Sequence, residues 1–438
     1  MKAPHSRRVL LLQGPPSGFF NVLAQAFRDA GVPVSRINLH GGDAAQAPDG
    51  IPFRGKLSEF DGFVSEVIQT DAITDVLYFA DRLPYHRIAA DVADRLGATP
   101  YAIENGYVRP DWLTLEPGGM GAFSRFPVDR ETIEALAADA PGIDTRLRYS
   151  HSFFNEAYCD VRYTLTRLVT SFRYPHFDRD RANHPLKEYL SWTPQLFRRQ
   201  WARFRAPHQM RRVLAESRPF FLFPMQLQED YQIRHNSRYA SLSTLVDEVF
   251  ASFAKGAPKH TSLLVKIHPL DNGLQNWRAT LKEAKRDYGL TGRIRFLSAG
   301  PLVDMLENCE GVVLVNSTVG LTALREGCAV RTLGAAVYDL EGLTDRQPLD
   351  DFWSNPTPPD PEFVDAFVRA LAALTQVKGS LYDKAGMRAA SEEIVRRVIA
   401  GIGALPAFKS PPPRLERARE LGVPLDLPVG QPALQTHG

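Results

Sequence analysis

The chain has 438 residues, 44% hydrophobic and 23% charged, with a net charge of +2; it is too long for one ordinary core, and two large domains are expected. That composition excludes a disordered or fibrous protein. Cys159, Cys309 and Cys328 are too few for a disulfide scaffold and lack zinc-site spacing, while no apolar run reaches the roughly twenty residues of a membrane span, so a cytoplasmic protein is expected.

The opening "RRVLLLQGPPSGFFNVLAQAFRDAGVPVSRINLH" predicts a buried strand over 9–12, a turn, a helix over about 18–30 stopped by Gly31, and a strand over 34–38. In the turn, Gln13 and Gly14 are candidate substrate contacts. The runs "DVLYFAD" (75–81) and "TPYAIENGY" (99–107) predict further strands with a helix between them, hence a parallel sheet covered on both faces. After the last of these, Glu104, Asp111 and Glu116 crowd one loop with Asn105, Arg109, Tyr107 and Trp112. Such carboxylates are either surface ion pairs or the nucleophile and base of a sugar-handling site.

Between 162 and 212 the chain carries 12 Lys and Arg against Asp178, Asp180 and Glu188. Within 193–214 the arginines interleave with Leu196, Phe197, Trp201 and Phe204, the pattern of a helix on an anionic lipid surface, of a solvated face or of an interdomain helix. No nucleic-acid recognition motif accompanies them.

A second alternation follows: strands in "RPFFLFPMQL", "SLLVKIHP", "RIRFLS", "GVVLVNS" and "AVRTLG", with helices between them. The first strand runs into Gln226, Gln228, Asp230, Gln232 and Arg234, more hydrogen-bonding side chains than a connection needs. The second ends in Lys266, His268 and Pro269; Pro269 biases His268 toward extended backbone, and Lys266 shares its face. His268 either binds a phosphate or bonds a neighbouring loop. The fourth runs into Asn316, Ser317 and Thr318 before a short helix, an anion site or an N-cap without ligand. The expected organisation is 1–214 as a Rossmann-like domain with a basic helical insertion, 215–375 as a second Rossmann-like domain, 376–405 as terminal helices and 406–438 as a Pro-rich tail, extended or disordered.

In this order over about residues 9–335, "LLQGPPSGFF", "ENGYVRPDWLTLE", "PMQLQEDYQIRHNS", "KIHP" and "NSTVGLTAL" together resemble the bacterial capsule polysaccharide biosynthesis proteins. The likeness is greatest to the KpsS-type retaining β-Kdo transferases, which begin a lipid-linked oligo-Kdo linker on phosphatidylglycerol. The resemblance implies an α/β, GT-B-like fold with two Rossmann-like domains whose parallel sheets face a central cleft, and CMP-Kdo as donor. It places the CMP phosphate on His268-Pro269, nucleotide support on Ser317-Thr318, and the ribose on Glu326, as GT-B enzymes use an acidic residue. The family's acidic-acidic-Gly motif falls on Glu104-Asn105-Gly106, where Asn105 departs from the pattern; Glu104 leads Asp111 and Glu116 as nucleophile. No metal or other cofactor is expected, since no Asp-x-Asp element stands beside the phosphate site. Expected partners are an anionic lipid acceptor (phosphatidylglycerol or its lyso form), the inner face of the inner membrane and other capsule biosynthesis or export proteins. Another CMP-activated ulosonic acid, another acceptor, or a non-catalytic capsule-assembly role fits the same motifs.

Overall fold

The computed structural model describes residues 7–150, 152–178, 208, 210, 211, 218–228, 230–268, 271 and 276–425. Most of the arginine-rich stretch over 193–214, and Pro269, lie outside them. The described residues form two units, one of 7–178 and 366–414, the other of 208–365 and 415–425.

In chain order the elements up to 178 are β1 (Val9–Leu11), α1 (Phe19–Asp29), β2 (Val34–Asn38), α2 (Gly41–Gln46), β3 (Ile51–Pro52), α3 (Phe60–Thr70), β4 (Asp75–Phe79), α4 (Pro84–Leu96), β5 (Thr99–Asn105), β6 (Trp112–Pro117), α5 (Arg130–Ala138) and α6 (Phe153–Val169). From 220 they are β7 (Phe220–Pro224), α7 (Tyr231–Asn236), α8 (Leu242–Gly256), β8 (Ser262–Lys266), α9 (Trp277–Asp287), β9 (Ile294–Leu297), α10 (Leu302–Leu306), β10 (Gly311–Leu314), α11 (Val319–Arg325), β11 (Val330–Thr332), α12 (Leu349–Phe352), α13 (Pro361–Thr375), β12 (Gln376–Lys378), α14 (Lys384–Ile399) and α15 (Leu415–Glu420).

The first unit holds a seven-stranded sheet in the order β12-β6-β5-β4-β1-β2-β3. Strands β3, β2, β1, β4 and β5 run parallel, while β6 is antiparallel to both neighbours. Alternation along β1 sends Val9 and Leu11 to one face and Leu10 to the other. Helices α1 and α14 cover the first face, where Phe19, Phe20, Leu23 and Phe27 bury a stripe spaced one, three and four residues apart; α3 and α4 cover the second. The second unit holds a five-stranded parallel sheet in the order β11-β10-β7-β8-β9. Its β7 and β8 are near-continuous apolar runs, as strands buried on both faces require. Both sheets are parallel-rich and wound with helices, the α/β, Rossmann-like class expected.

Three sequence expectations differ from the structure. The carboxylate-rich stretch after β5 is a hairpin, not one long loop: β6 pairs Glu104 with Thr114 and Ala102 with Glu116. Gly106 is needed at its turn, because a Cβ there would stand 2.5 Å from the Trp112 carbonyl oxygen. The segment 376–405 is no separate helical appendage; β12 joins the first sheet and α14 packs on α1. The stretch expected to be extended from 406 is folded through 425, since the buried Arg414 donates to the Phe126 and Pro127 carbonyls, and Arg417 pairs with Asp339 at 2.8 Å.

Strand β12 is tied down by one ion pair. Lys378 Nζ donates to Asp111 Oδ1 at 2.7 Å and to the Arg146 carbonyl at 2.8 Å, and Asp111 Oδ2 accepts from the Arg148 and Tyr149 amides at 2.8 and 3.0 Å. With Asp111 almost fully buried, losing the lysine leaves its carboxylate without a countercharge, a loss of about 3 kcal/mol. Lys378→Met is therefore expected to speed amide exchange over 144–150 by roughly a hundred-fold; unchanged exchange there would show that the pair does not hold the segment.

Candidate functional site

Strand order locates the site in the second unit. From β7 the chain winds toward β8 and β9, then returns on the other side of β7 as β10. Loops leaving β7 and β10 therefore part in opposite directions and open a crevice at the carboxyl ends of the strands. There the two loops are stitched together. Gln226 Nε2 donates to Asn316 Oδ1 at 3.0 Å, the Asn316 amide donates back to Gln226 Oε1 at 3.3 Å, and Asn316 Nδ2 donates to the Gln232 carbonyl at 2.9 Å.

Asp230 caps α7 by accepting from the Gln232 amide at 2.9 Å, and burial is the main force raising its pKa. Gln228 accepts from the Leu242 amide at 2.8 Å and so braces the start of α8. Gln232 hydrogen-bonds Tyr231 and Asn236, and Arg234 lies half-buried in α7. The polar density read in the sequence after β7 is thus largely a scaffold that fixes one lip of the crevice.

Lys266 ends β8, beside β7, in register with Pro224. It lies mostly buried, and desolvation alone pulls its pKa down. Among the described residues its ammonium has no hydrogen-bond or ion-pair partner. A cation held this way against its desolvation is stabilised by an arriving anion. His268 follows two residues on, half-buried, its carbonyl accepting from the Asp271 amide at 3.1 Å.

Beyond β10, Ser317 Oγ accepts from the Val319 amide at 3.2 Å, its carbonyl accepts from Tyr338 Oη, and Thr318 caps α11 through its backbone. The close approach at Gly320 is made by this tyrosine, since a Cβ on Gly320 would stand 2.3 Å from Tyr338 Oη. Helix α11 runs away from the crevice, so Glu326, its exposed C-cap, lies at the far end from Asn316. The structure thus gathers Gln226, Lys266, Asn316 and Ser317 at strand ends and leaves Glu326 apart from them.

The first unit has its own switch point, between β1 and β4. Gln13 leaves β1 there, its carbonyl accepting from the Phe79 amide at 3.2 Å and its side chain bonding Tyr163. Gly14 serves packing, because a Cβ would meet the Phe20 ring at 2.6 Å. Glu104 is the last residue but one of β5, one strand away, with Oε1 accepting from the Asn105 backbone and side-chain amides at 2.9 and 3.1 Å. Arg109 is exposed in the hairpin turn, its charge near that of Glu104. The other two carboxylates are differently placed: Asp111 is the brace of Lys378, and Glu116 is sealed in β6, accepting from Ser124 and, at 3.1 Å, from Tyr107 Oη.

Sequence reading passed over His40, Gly41, Gly42 and Asp43 after β2. Asp43 accepts from the Leu39 amide at 3.0 Å and from Tyr163 Oη, and a Cβ on Gly41 would overlap Thr170. The glycine pair thus lets α6 dock on α2. The signal was present as two glycines between titratable residues at a strand end.

Residues 74–382 match the family described as "Capsule polysaccharide biosynthesis protein". The chain belongs to that family. It is 32% identical over 389 residues to the capsule polysaccharide modification protein LipB of Neisseria meningitidis serogroup B, covering 86% of this chain and 92% of the relative. It is 28% identical over 385 residues to the capsule polysaccharide export protein KpsS of Escherichia coli, covering 86% and 97%. Among solved structures, Thermosulfurimonas dismutans KpsC, beta Kdo 2,7 transferase, aligns over 90% of this chain and 99% of that one at 15% identity, with a TM-score of 0.46.

Within this family member, Glu116 contributes a pH dependence. Burial pushes its carboxyl up to about 7 from 4.5, against the lowering effect of the Ser124 and Tyr107 hydrogen bonds. Between those values the folded chain keeps a proton that the unfolded chain has lost, so stability falls as pH rises through the window, by about 3 kcal/mol. His86, which burial holds down to about 4 from 6.5, acts with the opposite sign, losing stability as pH falls. Glu116→Gln leaves that second slope in place. The stability of the glutamine variant relative to the wild type is therefore expected to rise between pH 4.5 and 7.5 in urea titrations, and a pH-independent difference would exclude a proton on Glu116.

Proposed function

We propose that this protein is a retaining glycosyltransferase that moves Kdo from CMP-Kdo to a phosphatidylglycerol-type lipid or its lyso form, beginning the poly-Kdo linker of a capsular polysaccharide. The observation that carries the reading is Lys266, mostly buried and without a partner among the described residues, beside the crevice framed by Gln226 and Asn316, in a chain of the capsule polysaccharide biosynthesis family. The motif resemblance supplies the sugar and the acceptor.

In this reading Glu104 attacks the anomeric carbon of Kdo while the bond to the CMP phosphate oxygen breaks, its electron pair leaving with the phosphate. An acceptor hydroxyl then attacks the same carbon as the bond to Glu104 breaks; the hydroxyl proton goes to solvent and the carboxylate is restored. Two inversions give net retention. The charge gathering on the departing phosphate meets Lys266, His268 and the hydroxyls of Ser317 and Thr318, donors that stabilise it. Neither a metal nor another cofactor takes part. The protein works at the inner face of the inner membrane, with other capsule biosynthesis and export proteins as partners.

The test is incubation with CMP-Kdo, generated in place, and short-chain phosphatidylglycerol, read by mass spectrometry. A product heavier by one Kdo is expected. Lys266→Met and His268→Ala should weaken CMP binding about ten-fold or more, whereas Glu104→Gln should keep CMP binding and lose transfer by roughly a thousand-fold or more. CMP binding without product would move the assignment to another ulosonic acid or acceptor. A chain that binds no CMP would instead be an assembly module.

A further inference from the structure

Helix α6 and the turn that extends it, Ser171–Arg173, expose Phe154 (77%), Tyr158 (64%), Leu165 (45%), Val169 (74%) and Phe172 (77%). With half-buried Val161 these residues follow one another at spacings of four, three, four, four and three. At 3.6 residues per turn that series is a single stripe, and 19 residues at about 1.5 Å each make it roughly 28 Å long. The opposite row, containing 156, 160, 163, 164 and 167, faces the first unit: Tyr163 and Thr164 are buried, and Tyr163 bonds Asp43 of α2. Tyr163 and Thr164 therefore anchor the helix on one side, and the apolar stripe takes no part in that packing.

We infer that this stripe is the surface by which the protein lies on an anionic lipid bilayer. Charge distribution favours that occupant over another protein chain. The acidic residues Glu156 and Asp160 sit in the packed row, whereas Arg162 and Arg173 are exposed along the border of the stripe. The chain enters the helix through exposed Arg146, Leu147 and Arg148. An apolar face with aromatic rings near both ends, and exposed arginines but no exposed carboxylate along its border, is the pattern of a helix in the interfacial plane, its rings among acyl chains and its guanidinium groups at lipid phosphates. No helix among the described residues is long and apolar enough to cross a membrane, so the contact is peripheral. The inference deepens the lipid-acceptor reading and rests on it for the choice of membrane, and it places the contact on α6.

The experiment is co-sedimentation of the full chain with vesicles of pure phosphatidylcholine and of phosphatidylcholine containing about 30% phosphatidylglycerol, an anionic surface of the kind that attracts basic segments. Binding to the second and not the first is expected. It should fall about ten-fold or more in Phe154→Ser/Val169→Ser/Phe172→Ser and in Arg162→Glu/Arg173→Glu. To guard against a misfolded variant, the emission that Phe172→Trp adds to that of the five native tryptophans, read as the difference from the wild type, should shift to the blue, and be quenched by brominated lipid, only when phosphatidylglycerol vesicles are added. Equal sedimentation of wild type and serine variant overturns the inference. So does emission from the introduced tryptophan that is already blue-shifted and insensitive to vesicles, which would mean that this chain covers the stripe. So does a wild-type dimer that the serine variant dissociates, which would make a second copy the occupant. CMP binding and Kdo transfer are scored separately, so absence of transfer leaves the sedimentation result standing, and loss of sedimentation leaves the transfer result standing.

Discussion

In a parallel sheet every strand must be reached by a crossover over one face, and a sheet covered on both faces needs crossovers of both kinds. Somewhere the direction of winding must reverse, and at that place two loops separate with nothing between them. This constraint shapes both units. In the second it falls between β7 and β10, and in the first between β1 and β4. The amide pair of Gln226 and Asn316 stitches the parted loops of the second unit without closing them. Lys266 stands on the neighbouring strand, where the sheet is still rigid but its end is open.

What the crevices do depends on which polar groups are satisfied by the fold and which are not. Asp111 is saturated by an ammonium and two amides, and Glu116 by a hydroxyl and a phenol. Both spend their charge or their proton on the architecture. Lys266 does not, and no group among the described residues partners it. A buried polar network that is complete stabilises, whereas a group left incomplete at a strand end is in a position to meet a ligand. The same contrast separates the two rows of α6, one packed and the other apolar and exposed.

Much of this was legible in the sequence. Apolar runs flanked by turn residues placed the five strands of the second unit within a few residues, because strands buried on both faces announce themselves without reference to their neighbours. The same reading placed Lys266, Asn316 and Ser317 at strand ends, since polar residues directly after such runs fall there. It did not find β6 or β12. Their residues, "WLTLEP" and "QVK", carry too little periodicity over too few positions, and each becomes a strand only because an edge of the sheet is there to pair with it.

Sequence alone therefore determined the local elements, the α/β class, the family and the residue types at the strand ends, all of which depend on short-range pattern. Tertiary structure decided which of three neighbouring carboxylates are occupied, that 376–399 returns to the first unit, and that the chain stays folded through 425. It also decided that one row of α6 faces outward. Those outcomes rest on partners tens to hundreds of residues away, such as Lys378 for Asp111 and Phe126 for Arg414. A hydrogen-bond partner that distant leaves no trace in the spacing of its neighbours, and it becomes visible only when the sheet has brought the two groups together.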